Sequence, residues 1–506
     1  MKKTKIIYSL LLASLFATSV SCTAKTPSNN PPVDGGGDKN ALVNDIKYDE
    51  EGNPIFDGVE LDFWSISIGS DGMIQQRIVD KFNKEHLGEI SVARREVRHD
   101  EFSNTVVNTI NVDPKHAPDL VVGHGPRVAE LKSYNIFNKW DEAIKYSKID
   151  FNRDHYQKAV MDDFYYDDGL YGIPLDCHSN ILIYRKDIIL QNGLAIPSNF
   201  DEMVEVCKQL AQKAKAGTYQ FRTSASFSAG DISWQTKPAG TNLYPYYMCI
   251  EALDDEATYA LTGVLQNGGK IVNEKGLPAF NTPEVINYFK RMRTLMYPTD
   301  GTLPIISETN PTEFIDQFYK GELVFASTGP WNLNGIKDTC NSKIGFGQDS
   351  FKDTVGVLPL SNMFAFDTTK EYAKTICGIA HAFSLSKTCT SATEAAAAAV
   401  FVDWMTKQYT EWLKGGHLPS LVSGMEDQEF LNSDFYQSIG QYLGNPANIT
   451  LGGRTKYYTE TFGSETNNGI NEIWHQTFNT NTQNKTIEEI VEEQYKRSLA
   501  LIADVQ

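Results

Sequence analysis

The chain from residue 59 onward alternates short apolar runs with segments whose apolar residues recur every three or four positions. Residues 59–64 alternate apolar and polar side chains and predict a strand, and residues 74–83 carry apolar side chains at helical spacing. Residues 89–95 predict a second strand, residues 101–112 a second helix and residues 119–123 a short buried strand. Because strands and helices alternate in this order, the sequence predicts a mostly parallel sheet flanked by helices.

The same alternation continues through the rest of the chain. Ser198 or Asn199 is positioned to cap one later helix, and Pro283 opens another at its first turn. Further strands are predicted at 171–175, 181–184, 323–326 and 376–385, and further helices at 128–134, 203–214, 283–296, 313–320 and 391–407.

The first 21 residues have the pattern of an export signal. Lysines near the start precede the almost uncharged residues 6–20, which are rich in Leu and Ala, and small residues follow. A positive end, an apolar stretch and a small-residue cleavage site together predict a signal peptide at 1–21.

Cys22 directly follows these small residues, an arrangement that resembles a bacterial lipobox and predicts lipidation of Cys22. Ser19 stands where the lipobox usually has Leu, so cleavage near Ser21 that leaves Cys22 free stays open as the alternative. Residues 22–45 are rich in Pro, Gly, Asn and Ser, which predicts a flexible tether. A lipid on Cys22 anchors the chain to a membrane surface without spanning the membrane.

The composition narrows the class of protein. The 506 residues are 41% hydrophobic and 11% aromatic, which is enough apolar material for a large core in several domains. The net charge of −18 and the pI near 5.0 argue against a nucleic-acid partner, which requires a basic surface. No run of about 18 apolar residues follows the signal segment, so no transmembrane helix is predicted.

Neither the cysteines nor the histidines are spaced as metal ligands. The seven cysteines show no C-x-x-C spacing, and none of the nine histidines is followed by another four positions later. Export permits disulfide bonds among the six cysteines after Cys22, but their pairing stays open. The acidic run at Asp163, Asp167 and Asp168 is typical of a solvated surface. The sequence therefore predicts neither a metal site nor a cofactor.

Motifs of common enzyme classes do not occur in the sequence. The chain has no G-x-S-x-G nucleophile elbow, no H-E-x-x-H zinc motif and no G-x-x-x-x-G-K-[ST] phosphate loop. We therefore expect no catalytic activity. A surface enzyme that acts on polysaccharide with an Asp/Glu acid–base pair stays open as an alternative, because such a pair needs no local motif.

Short motifs across residues 58–425 occur together, in this order, in one protein family. They include Ala-Pro-Asp-Leu-Val-Val at 117–122, Tyr-Gly-Ile-Pro at 171–174, Gly-Leu-Ala-Ile-Pro at 193–197, Phe-Tyr-Lys-Gly at 318–321, Gly-Pro-Trp at 329–331 and Cys-Gly at 377–378. The chain thereby resembles the extracellular solute-binding proteins of the family-1 type, the sugar receptors of bacterial ABC importers. Arg185 stands where the family usually has Asn, and Cys377 stands where it has glycine.

The resemblance implies an α/β fold of the periplasmic-binding-protein type II. Two lobes, each a mostly parallel sheet flanked by helices, are joined by crossover strands, and the ligand lies in the cleft between them. The lobes are expected at 58–185 plus 375–410 and at 187–372 plus 411–506. The crossings are expected near Lys186, Thr375 and Gln408.

The function that the resemblance implies is that of a membrane-tethered receptor facing outward from the cell. A monomeric protein captures a carbohydrate or oligosaccharide by hinge closure and passes it to an ABC permease in the membrane. A polyamine, a peptide or a phosphorylated polyol stays open as the ligand.

A sugar receptor needs flat aromatic platforms. Trp64 ends the first predicted strand, and Trp331 follows Gly-Pro in a motif where the resemblance places a stacking platform. Trp234 lies with Asp231 in a polar loop. We expect all four residues to contact the ligand, the alternative for each tryptophan being core packing.

A sugar receptor also needs polar groups that bind hydroxyls. Asp176 and His178 follow Tyr-Gly-Ile-Pro at the predicted lobe junction, and His124 follows a buried strand. His381 lies on a predicted crossover strand, and His417 lies in a Gly-Gly-His-Leu-Pro segment that resembles the pocket floor of the family. These five residues are expected to bind the ligand, the alternative being structural hydrogen bonds in the interior.

Overall fold

A computed structural model of the protein describes most of the chain after residue 41. The predicted signal peptide, most of the tether with Cys22, and Asp231 lie outside the described residues. None of the described helices is long and apolar enough to cross a membrane. The described residues are 42–222, 233–248, 250, 254–307, 314–333, 335–337, 350–358, 360–433, 436–437, 445–463 and 468–505.

The strands are short, and most have buried side chains. They are β1 (Lys47–Tyr48), β2 (Pro54–Ile55), β3 (Val59–Ser65), β4 (Ile90–Glu96), β5 (Leu120–His124), β6 (Phe137–Asn138), β7 (Tyr165–Tyr166), β8 (Gly169–Leu170), β9 (Ile173–Pro174), β10 (Asp176–Cys177), β11 (Ile181–Arg185), β12 (Gln220–Phe221), β13 (Gln235–Thr236), β14 (Tyr246–Tyr247), β15 (Phe325–Thr328), β16 (Val355–Leu358), β17 (Ile376–Cys377), β18 (His381–Ser386), β19 (Leu418–Pro419) and β20 (Ile449–Thr450).

The helices alternate with the strands and include two long amphipathic ones near the two ends of the described chain. They are Gly69–Glu85, Phe102–Val112, Val128–Ser133, Trp140–Ser147, Lys158–Met161, Lys186–Gln191, Phe200–Ala216, Asp254–Gln266, Pro283–Arg293, Phe314–Lys320, Ser350–Thr354, Ala392–Thr406, Tyr409–Trp412, Gln428–Leu431, Tyr458–Phe462, Gly469–Phe478 and Ile487–Val505.

A six-stranded sheet forms the first layer of the fold. Its strand order is β4-β3-β5-β18-β6, and β9 pairs with β18 beside this path. β3 is parallel to β4 and to β5, as the β-α-β-α-β pattern predicts. β18 comes from far along the chain and runs antiparallel to β5, β6 and β9, so the sheet is mixed.

A four-stranded sheet, in the order β14-β15-β11-β16, forms the second layer. β14 and β15 are parallel, but β11 is antiparallel to both β15 and β16. The α/β class predicted from the sequence is confirmed, but parallel pairing among the described strands is limited to β3 with β4 and β5, β14 with β15, and β17 with β20. The reason is that β11 and β18 each run in the direction opposite to their neighbouring strands. Parallel pairing would need a crossover connection, usually a helix, which brings the chain back to the same end of the sheet.

The chain passes between the two sheets more than once. β9 belongs to the six-stranded sheet and β11 to the four-stranded one, so residues 175–180 connect them. β16 and β18 belong to different sheets as well, so the chain crosses back between residues 358 and 381. The strand at 181–185, which the prediction assigned to the first lobe, therefore pairs in the second sheet.

Side chains cap two of the long helices, and one of these caps was predicted from the sequence. The side chain of Asn199 accepts the backbone N–H of Glu202 at 3.0 Å, so Asn199 rather than Ser198 caps the helix Phe200–Ala216. Ser391 caps the alanine-rich helix Ala392–Thr406 by accepting the N–H of Glu394 at 3.1 Å. Small side chains on this helix let it pack closely against β3 and the helix Trp140–Ser147.

The sequence predicts a single strand at 376–385, but the structure has two strands there, β17 and β18, so the prediction is wrong in this respect. β17 pairs with β20 in a separate two-stranded sheet, whereas β18 joins the six-stranded sheet. Between them Gly378 passes close to the backbone of His178, where a Cβ would lie 2.6 Å from the carbonyl oxygen. The close passage interrupts the regular pairing of the strand.

The cysteines that the structure describes after the tether do not form disulfide bonds. Cys177, Cys207, Cys377 and Cys389 are free thiols buried in the core. Burial raises the pKa of Cys377 to about 12, so its thiol stays protonated. These four cysteines act as small apolar core residues.

Candidate functional site

Three neighbouring parallel strands end at the same edge of the six-stranded sheet, and a polar side chain follows each. His124 is the last residue of β5, His99 follows β4, and Asp71 lies beyond the end of β3. β18 runs antiparallel to β5 with His381 opposite His124, so β18 begins at this edge. Ligands of open α/β sheets bind beyond the carboxyl ends of the strands, so this edge is the candidate ligand site.

Five of the nine histidines of the chain meet here. We call this set the histidine row; in spatial order its members are His99, His124, His381, His178 and His417. The distances between the ring centroids of successive members are 4.5, 5.5, 5.1 and 4.7 Å.

Asp176 is fully buried next to the histidine row. Its Oδ1 accepts the backbone N–H of His381 at 2.9 Å, and its Oδ2 lies 2.8 Å from Nδ1 of the same residue. The indole N–H of Trp412 donates to Oδ2 at 2.6 Å. Burial opposes ionisation, but the neighbouring His381 and His417 hold the pKa of Asp176 well below its ordinary value. Asp176 is therefore a buried carboxylate with several donors.

His417 reaches the histidine row through a loop of two glycines. Gly416 has φ of +88°, and a Cβ there would lie 2.6 Å from the carbonyl carbon of Pro330. Nδ1 of His417 lies 3.2 Å from Nδ1 of His178, and its Nε2 lies 3.0 Å from Oδ2 of Asp71. Only a residue without a side chain fits between the loop and Pro330, so glycine at 416 fixes where His417 lies.

Burial favours the neutral form of two of these histidines, His178 and His124. It lowers the pKa of His178, with part of the effect offset by Asp176. It also lowers the pKa of His124 well below the ordinary value, and the nearby charges of other histidines act in the same direction. A neutral imidazole has one donor and one acceptor nitrogen, so His124 and His178 can each both donate and accept a hydrogen bond.

Trp331 is the predicted aromatic residue that lies beside the row. It follows β15, and its ring centroid is 5.9 Å from that of His178. Its side chain is partly exposed, whereas the polar residues around Asp176 are buried. A Cβ at Gly329 would lie 2.1 Å from the Trp331 ring, so the glycine gives the indole its space.

Two of the predicted tryptophans lie elsewhere. Trp64 is 1% exposed in the core, with the Arg95 guanidinium 4.6 Å from its ring centre, so neither ring face is open to a sugar. Trp64 is therefore packed in the core, which is the alternative to ligand contact that the sequence left open. Trp234 is partly exposed, and the guanidinium of Arg222 lies 4.8 Å from its ring centre. Asp231, predicted beside Trp234, lies outside the described residues.

Sequence reasoning missed three residues of the site: Asp71, His99 and Trp412. For the first two a signal existed, since each follows a predicted parallel strand and the carboxyl ends of such strands form ligand sites. Trp412 carries no comparable signal. Its indole stacks on His417 with 4.9 Å between centroids, an arrangement that only the fold creates.

The space around the site is small. Two cavities that border His124 measure about 10 and 20 Å³, room for about one water molecule each. A cavity of about 630 Å³, the size of a small-molecule pocket, lies instead against β14 and is lined by Tyr244, Tyr246 and Tyr247 among others. The polar groups therefore converge at the edge of the six-stranded sheet, whereas the larger cavity lies at β14. The sheet edge is the stronger candidate for the ligand site, because several strands end there.

Several solved structures share this fold. The cyclic alpha-maltosyl-1,6-maltose binding protein from Arthrobacter globiformis has 17% identity and a TM-score of 0.64, over 88% of this chain and 100% of that chain. An ABC substrate-binding protein from Listeria monocytogenes in complex with cycloalternan has 15% identity and a TM-score of 0.61, with the same coverage. Maltose-bound MalE3 of T. maritima has 15% identity and a TM-score of 0.62, again over 88% and 100%. At these identities the likeness establishes the fold, and the predicted fold class is confirmed.

The sequence itself matches a family. A search of curated protein sequences finds no similar protein. The family model described as bacterial extracellular solute-binding protein matches residues 77–436, which is most of the chain. The resemblance inferred from the motifs is thereby confirmed, and the chain belongs to the bacterial extracellular solute-binding proteins.

Proposed function

We propose that this protein is a receptor that binds an oligosaccharide at the edge where the chain crosses between its two sheets. The observation that carries the proposal is the convergence of Trp331 and the histidine row at this edge. A partly exposed indole beside imidazole rings offers the apolar platform and the hydroxyl partners that a sugar needs. The maltose and cycloalternan bound by proteins of the same fold support a sugar as the ligand class.

Binding in this place requires the two sheets to separate. The cavities beside His124 are much smaller than the roughly 300 Å³ or more of a typical ligand pocket. The ligand therefore enters when the loop at 415–417 and the segment with Trp331 move apart, and closure then buries the ligand. We keep the predicted lobes but place the first crossing before β11, because β11 pairs in the second sheet.

We further propose that the protein acts as a monomer tethered outside the cell by a lipid on Cys22, and that it passes its ligand unchanged to an ABC permease. The signal-like residues 1–21 and the polar tether support this location. Replacing Cys22 with Ser tests the anchor, because the variant should move from the membrane fraction to the soluble fraction. A variant that stays in the membrane fraction contradicts the anchor and leaves the receptor proposal untouched.

Ligand binding is tested with the chain from residue 22 carrying Cys22→Ser. We would screen mono- and oligosaccharides, polyamines and peptides by thermal shift, since a ligand at 100 times its Kd stabilises the fold by about 2.7 kcal/mol. Titration calorimetry then measures the affinity, and mass spectrometry shows whether the ligand is recovered intact. We expect an oligosaccharide hit whose Kd rises at least about tenfold in Trp331→Ala, a loss of about 1.4 kcal/mol.

Trp404→Ala is the matched control, because Trp404 is also partly exposed but lies on the helix Ala392–Thr406 and donates to Glu85. A sugar that is cleaved would favour the enzyme alternative, and a polyamine or peptide hit would overturn the ligand class. Affinity that survives Trp331→Ala but is lost in Tyr244→Ala would move the site to the cavity at β14.

A further inference from the structure

Four residues of the site bring metal-binding atoms close together. Asp176, His178, His381 and His417 each offer an imidazole nitrogen or a carboxylate oxygen, and these atoms all lie within 4.8 Å of one another. With Oδ2 as the carboxylate ligand atom, three of the separations measure 2.8, 3.2 and 3.6 Å. The ligands of a tetrahedral zinc ion, each about 2.0–2.1 Å from the metal, lie about 3.3 Å apart. The three measured separations are close to those between the ligands of a tetrahedral site.

We propose that these four residues form a binding site for one divalent transition-metal ion of the zinc type. The proposal stands on the packing of the four side chains and does not depend on the identity of the solute. No local motif announces the site, because its ligands come from three distant segments of the chain: 176–178, the start of β18 and the loop before β19.

The donor set selects the class of metal. Three imidazoles and one carboxylate suit Zn²⁺ and its neighbours Ni²⁺ and Cu²⁺, whereas Mg²⁺ and Ca²⁺ require mostly oxygen ligands. The thiol of Cys177 does not belong to the cluster of ligand atoms that lie within 4.8 Å of one another. All four ligand residues are at most 7% exposed, which is typical of closed four-coordinate structural sites.

Two residues outside the cluster, Asp71 and Trp412, orient its ligand side chains by hydrogen bonds. His417 directs Nδ1 toward the cluster, and its Nε2 lies 3.0 Å from Oδ2 of Asp71. Histidines that bind metals regularly donate their other nitrogen to a carboxylate in this way. The Trp412 indole orients the Asp176 carboxylate by its hydrogen bond of 2.6 Å. Asp71 and Trp412 are therefore positioning residues of the proposed site.

The location gives the ion a role. β10 carries Asp176, pairs with β19, and lies on the segment between β9 and β11, which belong to different sheets. His381 begins β18, just after the chain has crossed back. An ion at this point ties two crossing segments to the loop that carries His417.

The test measures metal content directly. The chain from residue 22 with Cys22→Ser is treated with a chelator, supplied with zinc chloride and passed through gel filtration. We expect one zinc per chain by mass spectrometry of the metal, a higher Tm with zinc, and the strong visible absorption of tetrahedral Co²⁺ when cobalt replaces zinc. His417→Gln and Asp176→Asn should remove the retained metal. Asp71→Asn should weaken zinc binding by about 10- to 100-fold.

His155→Gln is the matched control, because His155 is exposed and lies outside the cluster. The competing explanation is that hydrogen bonds alone hold the four side chains together. Failure to retain zinc would establish that explanation, and so would retention that is unchanged in His417→Gln. If Asp176→Asn does not fold by circular dichroism, the cobalt spectra of the unsubstituted chain and of His417→Gln decide the question.

Discussion

The indole of Trp412 donates to Oδ2 of Asp176 at 2.6 Å, although the two residues are 236 positions apart in the chain. The same oxygen lies 2.8 Å from Nδ1 of His381. A fully buried carboxylate that loses a donor retains its desolvation penalty without compensation. Trp412 therefore stabilises the charge around which the site is assembled.

Replacing Trp412 with Phe tests this relationship. Phe keeps most of the packing but cannot donate, so we expect the free energy of unfolding to fall by about 1.5–3 kcal/mol in urea denaturation. Trp404→Phe is the control, since its indole donates to the exposed Glu85 at 3.1 Å and should cost less than about 1 kcal/mol. Equal losses of unfolding free energy in the two variants would show that the hydrogen bond to Asp176 stabilises the fold no more than the exposed one to Glu85 does.

Gly416 is predicted to tolerate no side chain. In Gly416→Ala the new Cβ would lie 2.6 Å from the carbonyl carbon of Pro330, and φ of +88° is unfavourable for alanine. We expect a loss of about 2–4 kcal/mol in unfolding free energy, together with weaker ligand binding, because the loop that carries His417 must shift.

Gly301→Ala separates the two causes. Gly301 has a similar φ of +79° but nothing within 4 Å of the Cβ position, so only the backbone cost of about 1–2 kcal/mol should appear. A similar loss in both alanine variants would mean that the contact with Pro330 relaxes easily.

Arg185, which replaces the Asn usual in related sequences, is predicted to be essential for stability. Its buried guanidinium forms two hydrogen bonds of 2.9 Å with Asp187 and donates to the carbonyl oxygen of Phe318 at 2.8 Å. Arg185→Asn would leave Asp187 buried without this partner, which costs about 3–5 kcal/mol.

Arg77→Asn is the control for this prediction. Arg77 is mostly exposed and lies 3.4 Å from Glu411, so its loss should cost less than about 1 kcal/mol. Chemical denaturation of both variants checks the difference. An Arg185→Asn protein as stable as the unsubstituted chain would show that the buried pair is dispensable.

Asp163 should make stability depend on pH. Burial raises its pKa to about 7, with the Arg454 guanidinium opposing the shift. The folded chain therefore holds this proton to a higher pH than the unfolded chain, whose carboxyl titrates near about 3.9. The stability associated with Asp163 is full below about pH 4 and is lost as the pH rises through about 7.

Asp163→Asn removes this titration. We expect the variant to gain stability relative to the unsubstituted chain between about pH 4 and 8, by up to a few kcal/mol, since one pKa unit corresponds to about 1.4 kcal/mol. Thermal melts across this range measure the difference. The exposed Asp154, changed to Asn, should show no such trend. A constant difference at every pH would contradict the raised pKa.

Local patterns predicted the local structure well. Apolar spacing identified helices such as Gly69–Glu85 and strands such as β3, and the cap residue Asn199 marked a helix start. These features depend on neighbours in sequence, so the sequence contains them directly. The break between β17 and β18 was not predicted, because it depends on the contact between Gly378 and the backbone of His178, which is distant in sequence.

The site was predictable only in part. Asp176, His178, His381 and His417 were each identified from motifs, but no pattern indicated that their side chains touch. That contact depends on pairing of β10 with β19 and of β18 with β5, which join distant segments. The burial of Trp64 could not be predicted, because an indole at a strand end looks the same in sequence whether its ring faces the core or a ligand.

The position of β18 in the middle of the six-stranded sheet affects how the protein is made. Asn138, on β6, bonds to the backbone of Ser386, on β18, 248 positions later. At about 5–20 residues per second, the ribosome needs roughly 10 to 50 s to supply that strand. Until then β5 and β6 lack their shared neighbour and expose unpaired strand edges, which invite aggregation. The first half of this chain therefore needs protection, by a chaperone or by export before folding, for as long as its missing strand is unsynthesised.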